Sequence, residues 1–164
     1  MWYFMYICYA LNFITSLMLL TAFVQSFFPF LVLQANHITF MILSSIVYFL
    51  TETLIIFFFV GTGINIKEYS KEHHLNPMFH QRAIKLKKRV YPPILLSLFL
   101  MSILFILSGA IYAYFIPDWL YHCFFLLCLV HFMKVKAVEN NSFRDNTNII
   151  LEMTGFKPPV TLSR

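Results

Sequence analysis

Glu52 is the residue best suited to chemistry, because it is an acid inside a long run of apolar residues. A charged carboxylate in hydrocarbon costs at least ~2.5 kcal/mol on insertion scales. The side chain must therefore face the protein interior, carry a proton or be paired. The sequence predicts that Glu52 either packs against polar neighbours or serves as a site for a proton, a cation or another ligand.

Other polar residues recur near Glu52 at helical spacing. At 100° per residue they share one arc of about 120°, whereas Thr39 and Thr53 point away from it. The arc contains His37, Ser44, Ser45, Tyr48, Thr51 and Glu52. In lipid, polar side chains belong at helix–helix contacts or in cavities, so this face is predicted to point into a bundle or against another subunit.

Two residues of other apolar runs, Asn12 and Ser102, are predicted to lie at the depth of Glu52. An Asn12–Glu52 hydrogen bond would be a packing contact with no further role. Glu52, Tyr48, Asn12 and Ser102 would alternatively form a proton or ligand site. Both interpretations stay open from the sequence.

His37 and His122 are candidate haem ligands, because neutral imidazoles on facing helices of a bundle can hold one iron axially. An interfacial histidine without a ligand is the ordinary alternative. Glu52, Tyr48 and His37 would be the residues of a quinone-handling or proton-handling site. The cysteines lack metal-ligand spacing. The cluster of His73, His74 and His80 resembles part of a membrane di-iron histidine box, but that chemistry needs many more histidines than the six of this chain, so no metal site is predicted.

Four apolar runs must position these residues: 3–24, 38–61, 92–115 and 119–134. Each is about long enough to cross ~30 Å of hydrocarbon at ~1.5 Å per residue. With 60% hydrophobic and 12% charged residues, a soluble domain would lack the polar surface to cover itself. The first run has no basic flank or cleavage site, so it is predicted to be retained. The prediction is an all-α, integral membrane four-helix bundle.

The basic residues predict how the bundle is oriented. Every lysine and arginine lies after residue 66, either between the second and third runs or after the fourth. Basic flanks mark the cytoplasmic side. Both termini and the 62–91 connection are therefore predicted on the cytoplasmic or matrix side of a bacterial or organellar inner membrane.

Glycine and proline suggest where the helices end. Gly61 and Gly63 predict that the chain leaves the second helix there, and Pro92-Pro93 suits the first turn of the third helix. Asp118 is predicted to cap the fourth helix. The third and fourth helices should form an antiparallel hairpin, because the connection is short.

The hydrophilic segments are small. Residues 79–90 predict a helix that either lies on the membrane surface or extends the third span inward. A membrane-surface basic patch is predicted from Arg82, Lys85, Lys87, Lys88 and Arg89. Residues 137–164 are predicted to be a short cytoplasmic tail, with one helix over 146–153 that ends at Gly155.

Three classes of function fit these features. The favoured one is a non-catalytic transmembrane subunit of a larger, energy-transducing complex, acting in assembly or stabilisation, because no catalytic motif is recognisable. The alternatives are a quinone-, proton- or haem-binding membrane subunit and a small four-helix membrane enzyme or carrier. The predicted partners are the lipid bilayer and other membrane subunits. Nucleic acid is not expected, because basic and aromatic residues do not interleave on a soluble domain.

Overall fold

The computed structural model describes residues 2–28 and 30–155. These residues form four α-helices: α1 (Trp2–Phe27), α2 (His37–Glu72), α3 (Met78–Tyr112) and α4 (Asp118–Met153). Each helix is long and apolar enough to cross a membrane. The predicted all-α membrane bundle is confirmed.

The helices pack in chain order around the bundle. The α3–α4, α2–α3 and α1–α2 contacts are extensive, and a smaller α1–α4 contact closes the ring. The connections 28–36 and 113–117 lie at one end, which we call the opposite end. The start of α1, the connection 73–77 and the end of α4 lie at the other, which we call the basic end.

All four helices are longer than the ~30 Å of hydrocarbon that a span must cross, and α2, α3 and α4 extend much further than α1. At 1.5 Å per residue, α1 with 26 residues is about 39 Å long, and α2 and α4 with 36 residues each are about 54 Å long. The excess lies at the basic end, because Tyr9 of α1 already contacts Asn140 of α4. Beyond the start of α1, the other helices continue as a three-helix extension with a small apolar core of its own, formed by Ile66, Ala83, Leu86 and Ile149.

The predicted end of the second helix was wrong. α2 continues through Gly61 and Gly63 to Glu72, because a helix tolerates an interior glycine at a cost of about 1 kcal/mol. Gly63 serves close packing instead. A Cβ at this position would overlap the side chain of Lys87, whose Nζ reaches the Val60 carbonyl at 3.5 Å.

The predicted start of the third helix was also wrong. α3 begins at Met78, and Pro92 and Pro93 lie inside it. Residues 79–90 therefore continue α3 beyond the predicted third span and do not form a separate helix. Burial of Leu86 and Val90 against the neighbouring helices offsets the two backbone hydrogen bonds that the prolines cannot make.

The fourth helix differs from the prediction at both ends. Pro117 occupies the cap position with an extended backbone, and Asp118 is the first helical residue, where a carboxylate is still favoured by the helix dipole. The separate helix predicted over 146–153 is wrong, because α4 runs unbroken to Met153. Gly155 follows the helix with φ of 81°, as expected of a stop. Residues 156–164 of the predicted tail lie outside the described residues.

Candidate functional site

The polar arc of α2 faces the interior, as predicted. Five of its six members are buried, namely Ser44, Ser45, Tyr48, Thr51 and Glu52. His37, at the opposite end, is half-buried, and Thr39 and Thr53 are exposed. The helical spacing of the polar residues therefore identified the correct face of α2.

Glu52 binds a lysine of α4. The Nζ atom of Lys136 lies 2.6 Å from Oε1 of Glu52, and 3.1 and 2.9 Å from Oε1 and Oε2 of Glu139. Both carboxyl side chains are 0% exposed, and the lysine side chain is 15% exposed. We call Glu52, Lys136 and Glu139 the carboxylate–lysine cluster.

Asn12 joins α1 to this cluster, but through a different acid from the one predicted. Its Nδ2 donates to Oε2 of Glu139 at 3.2 Å, so the predicted Asn12–Glu52 hydrogen bond is wrong. Lys136 takes the position beside Glu52 instead. The predicted depth is supported, because the hydroxyls of Thr15 and Thr51, next to this level, are 2.9 Å apart.

The other two predicted members of the site lie outside the cluster. Ser102 donates to the Leu98 carbonyl of its own helix at 2.9 Å, so its prediction as a partner of Glu52 is wrong. Tyr48, one turn from Glu52, has its hydroxyl 2.5 Å from Oγ of Ser97 on α3. Tyr48 thus marks the boundary of the cluster on the side of the opposite end.

The cluster carries an unbalanced charge. Two carboxylates and one ammonium sum to −1 when all three are ionised. Oε2 of Glu52 and Oδ1 of Asn12 have no hydrogen-bond partner among residues 2–28 and 30–155. A net charge is costly in a low-dielectric interior. One proton, held by either carboxyl or shared between them, would neutralise the cluster and supply a hydrogen-bond donor.

Buried polar residues continue from the cluster towards the basic end. Ser142 and Asn146 follow Glu139 on the same face of α4, and both are buried. Arg89 of α3 donates to Oγ of Ser142 at 2.9 Å and to Oδ2 of Asp145 at 2.9 Å. The Arg89–Asp145 pair is partly exposed. Buried polar side chains therefore lie along α4 between the cluster and a partly exposed ion pair at the basic end.

Apolar packing closes the other side of the cluster. Between Tyr48 and the opposite end, the core is made mainly of close-packed apolar side chains that include Met41, Leu104 and Phe125. The buried hydroxyls of Ser44 and Ser45 in this part donate to carbonyls of their own helix. A space beside Tyr48, lined also by Ser97 and Leu104, has a volume of about 10 Å³. That is about the smallest volume that holds a single water molecule.

Lys136 and Glu139 were not predicted as site residues, because both lie beyond the predicted fourth span. The signal was the continuing helical period, because Phe132, Val135, Glu139 and Ser142 are three or four residues apart and all are buried. Extending that period past residue 134 would have put Glu139 on the buried face of α4.

The two candidate haem ligands hydrogen-bond to the protein. Nε2 of His37 lies 2.8 Å from the Tyr121 hydroxyl, and Nε2 of His122 lies 3.0 Å from the Ser26 carbonyl. The ring of His122 also stacks on Phe27. A haem held by both Nε2 atoms would have to break these bonds, so this geometry does not favour a haem site.

The predicted basic patch is partly used inside the three-helix extension. Arg82 binds Glu152, Arg89 binds Asp145, and Lys87 crosses Gly63. The hydrogen bond from Arg82 holds the pKa of the Glu152 carboxyl below its ordinary value. Lys85 and Lys88 are exposed, and their contact with lipid stays a prediction.

No protein-family model, curated protein or solved structure matches this chain. Function is therefore inferred from the site itself. Its distinguishing feature is one ammonium shared by two fully buried carboxylates.

Proposed function

We propose that this chain is a membrane subunit whose carboxylate–lysine cluster takes up and releases a proton, as part of a larger energy-transducing assembly. The observation that carries the proposal is Lys136 between two unexposed carboxylates, at 2.6 Å from Glu52 and 2.9 Å from Glu139. Ionisable residues inside a membrane are expensive, and they typically mark proton or ion pathways.

A proton suits this site better than a metal ion. The ammonium of Lys136 occupies the position between the two carboxylates and would repel a cation placed there. Across the described ranges, no group of three or more His, Cys, Asp or Glu side chains is arranged to hold a metal. A proton needs no coordination shell and neutralises the net charge of −1 directly.

The need for a larger assembly is inferred from the side of the bundle from which protons reach the cluster. Ser142, Asn146 and the Arg89–Asp145 pair lie between the cluster and the basic end. Beyond Tyr48 the core is mainly apolar, and the hydroxyls of Ser44 and Ser45 there donate to carbonyls of their own helix. A proton site open to one side exchanges protons but does not carry them across. Coupled work therefore requires a partner. With both termini on the cytoplasmic or matrix side, the exchange would occur with that compartment.

A second candidate is the non-catalytic role in assembly or stabilisation. It is favoured by the way the cluster joins helices, since Lys136 ties α4 to α2 and Asn12 ties α1 to α4. In this role the cluster would hold the bundle together without exchanging protons, and the chain would contribute mainly contact surface to its complex.

Infrared difference spectroscopy across a pH titration distinguishes the two candidates. A proton site gives a carboxyl band that titrates in the wild type and is lost or shifted in both Glu52→Gln and Glu139→Gln. The Glu152→Gln variant, outside the predicted spans, is the matched control and retains the band. The absence of any titrating band sensitive to residues 52 and 139 would contradict the proton role and favour the second candidate.

The host complex provides the functional readout. Glutamine keeps the size and hydrogen-bonding capacity of glutamate but cannot titrate. Proton exchange predicts that Glu139→Gln leaves the complex assembled and lowers its turnover at least about tenfold. Unchanged turnover together with intact assembly would favour the purely structural role.

A further inference from the structure

A cavity of about 530 Å³ lies at the opposite end, between the ends of α1, α2 and α3. Its volume is within the range of sites for small molecules, roughly 300–1,000 Å³. The lining includes the polar residues Gln25, His37 and Ser108 and the apolar residues Phe27, Leu31 and Ile111. Gln25 and Asn12 are thirteen positions apart on α1, or about 20 Å, so the cavity is separate from the cluster.

Gln25, in the wall of this cavity, carries an acceptor without a hydrogen-bond partner among the described residues. Its Nε2 donates to the carbonyls of Phe30 and Ala35 at 2.7 and 3.1 Å, which fixes the orientation of the amide. The side chain is only 3% exposed, and Oε1 has no partner among the residues that the structure describes. A buried acceptor without a donor is unfavourable, and a ligand with an O–H group would satisfy it.

His37 supplies a second polar atom. Its Nε2 is engaged with Tyr121, and its buried Nδ1 has no hydrogen-bond partner within residues 2–28 and 30–155. Depending on the tautomer, Nδ1 donates to or accepts from a ligand hydroxyl. Two unpartnered polar atoms, from α1 and α2, thus belong to one cavity.

The rest of the lining restricts the charge and shape of the ligand. None of the described residues that line the cavity is Lys, Arg, Asp or Glu, so a charged group would lack a counter-ion there. Phe27, Leu31 and Ile111 offer apolar walls. A suitable ligand is neutral, with an apolar body and a small hydrogen-bonding head.

We propose that this cavity binds a neutral lipid with a hydroxyl head group. The hydroxyl donates to Oε1 of Gln25, Nδ1 of His37 is within the same polar region, and the apolar body lies against Phe27, Leu31 and Ile111. The required chemistry is shared by a quinol and by an aliphatic or isoprenoid alcohol. Whether the cluster exchanges protons has no bearing on this site.

A matched pair of probes tests whether binding requires a hydroxyl group on the ligand. Dodecanol and dodecyl methyl ether have similar apolar bodies, but only the alcohol donates a hydrogen bond. Binding is measured by native mass spectrometry of the full chain released from nanodiscs. We expect the wild type to bind dodecanol about tenfold more tightly than the ether, the value of one hydrogen bond to a buried acceptor. Equal binding of the two probes would overturn the proposal.

Variants locate the binding in the cavity. Gln25→Leu should equalise the two probes. Ile111→Trp fills the cavity and should abolish binding of both, even if the leucine variant fails to fold. Ile106→Trp is the matched control, because residue 106 lies on the same helix, is 67% exposed and faces away. Undiminished dodecanol binding by the Ile111→Trp protein would overturn the assignment.

A second probe pair separates the two sources of the hydroxyl. A short-chain quinol carries O–H donors, whereas its quinone has none. Only the quinol therefore has the hydroxyl that the site requires. Preference for the quinol over dodecanol would identify a redox lipid. Equal or weaker binding of the quinol would identify an alcohol as the ligand class.

Discussion

Lys136 is held from several directions at once. Its ammonium contacts carboxylates from α2 and α4 and lies 4.9 Å from the centre of the Phe132 ring, where a cation is attracted to the aromatic face. The lysine side chain is 15% exposed, and its ammonium is paired with both acids. The side chain therefore stabilises two acids that would otherwise face each other in a medium of low dielectric.

Removal of this ammonium should be strongly destabilising. Lys136→Met leaves two buried carboxylates without a counter-charge, and we expect a loss of about 3–5 kcal/mol in the free energy of unfolding at neutral pH. Lys134→Met, two residues away and exposed, is the control and should change stability by less than about 0.5 kcal/mol. Denaturant unfolding in detergent gives both values. Adding Glu139→Gln to Lys136→Met should recover part of the loss, and no recovery would contradict charge pairing as its cause.

The Arg82–Glu152 pair predicts a pH dependence with a definite sign. The folded-state pKa of Glu152 is lowered from its ordinary value of 4.5 by the hydrogen bond from Arg82. The pair therefore contributes stability above pH 4.5, and this contribution is lost as the pH falls through the lowered pKa. Both side chains are about one-third exposed, at 34% and 32%, so solvent screening limits the contribution to about 0.2–1 kcal/mol.

Thermal melts of Glu152→Gln against the wild type measure this contribution. The variant should be less stable at pH 7, and the difference should shrink as the pH falls below 4.5. Arg82→Gln should behave similarly. The stability lost by the double variant should not exceed the sum of the losses in the two single variants. A difference that stayed constant through the acid range would exclude ionisation of Glu152 as its origin.

At the scale of the helix, the two interior glycines of α2 should respond differently to alanine. Gly61 has no atom within 4 Å of an added Cβ, so Gly61→Ala should stabilise the protein by about 0.5–1 kcal/mol through helix propensity. At Gly63 the new methyl group would displace Lys87 and cost its contact with Val60, which cancels the gain.

Melting temperatures of the two variants in the same detergent provide the comparison. Repeating Gly63→Ala in a Lys87→Ala background removes the overlap, and the alanine should then stabilise as it does at position 61. Equal effects of the two alanines in the wild-type background would mean that Lys87 moves without cost.

The buried face of a single helix could be predicted from the sequence, whereas contacts between two helices could not. The inward face of Tyr48 and Glu52 was predictable because helical spacing lies within one apolar run. Lys136 was taken as the flank of the fourth span, since a lysine after an apolar run ordinarily marks the membrane boundary. Its partner Glu52 is 84 residues away, and no local pattern reveals such a contact. Glu139 went unrecognised for a local reason, because the helical period of buried residues was not followed past the end of the apolar run at residue 134.

The whole molecule has a clear difference between its two ends. The helices project as a three-helix extension at the basic end, and short connections close the opposite end. Gln34 and His74 are matched reporters of these ends, because both are exposed and both have left-handed backbones, with φ of 63° and 50°.

Labelling of intact cells with a membrane-impermeant maleimide tests the orientation. In a Cys123→Ser background, which removes the exposed native thiol, Gln34→Cys should be labelled from outside and His74→Cys only after lysis. The reverse pattern would require both termini to lie outside.

The predicted depth of the cluster determines how much of the transmembrane potential acts on a proton that binds there. Glu52 lies roughly nine residues from the basic-end limit of a predicted 24-residue span, so about a third of the transmembrane potential falls between it and that side. The potential contributes ~2.3 kcal/mol per charge per 100 mV across the whole membrane. At 100 mV, the electrical work of moving a proton to the cluster is therefore about 0.8 kcal/mol from the basic end and about 1.5 kcal/mol from the opposite end. Because the polar residues run to the basic end, we expect the weaker voltage dependence. Proton occupancy in vesicles clamped at different potentials would then vary about half as steeply as for a site loaded from the far side.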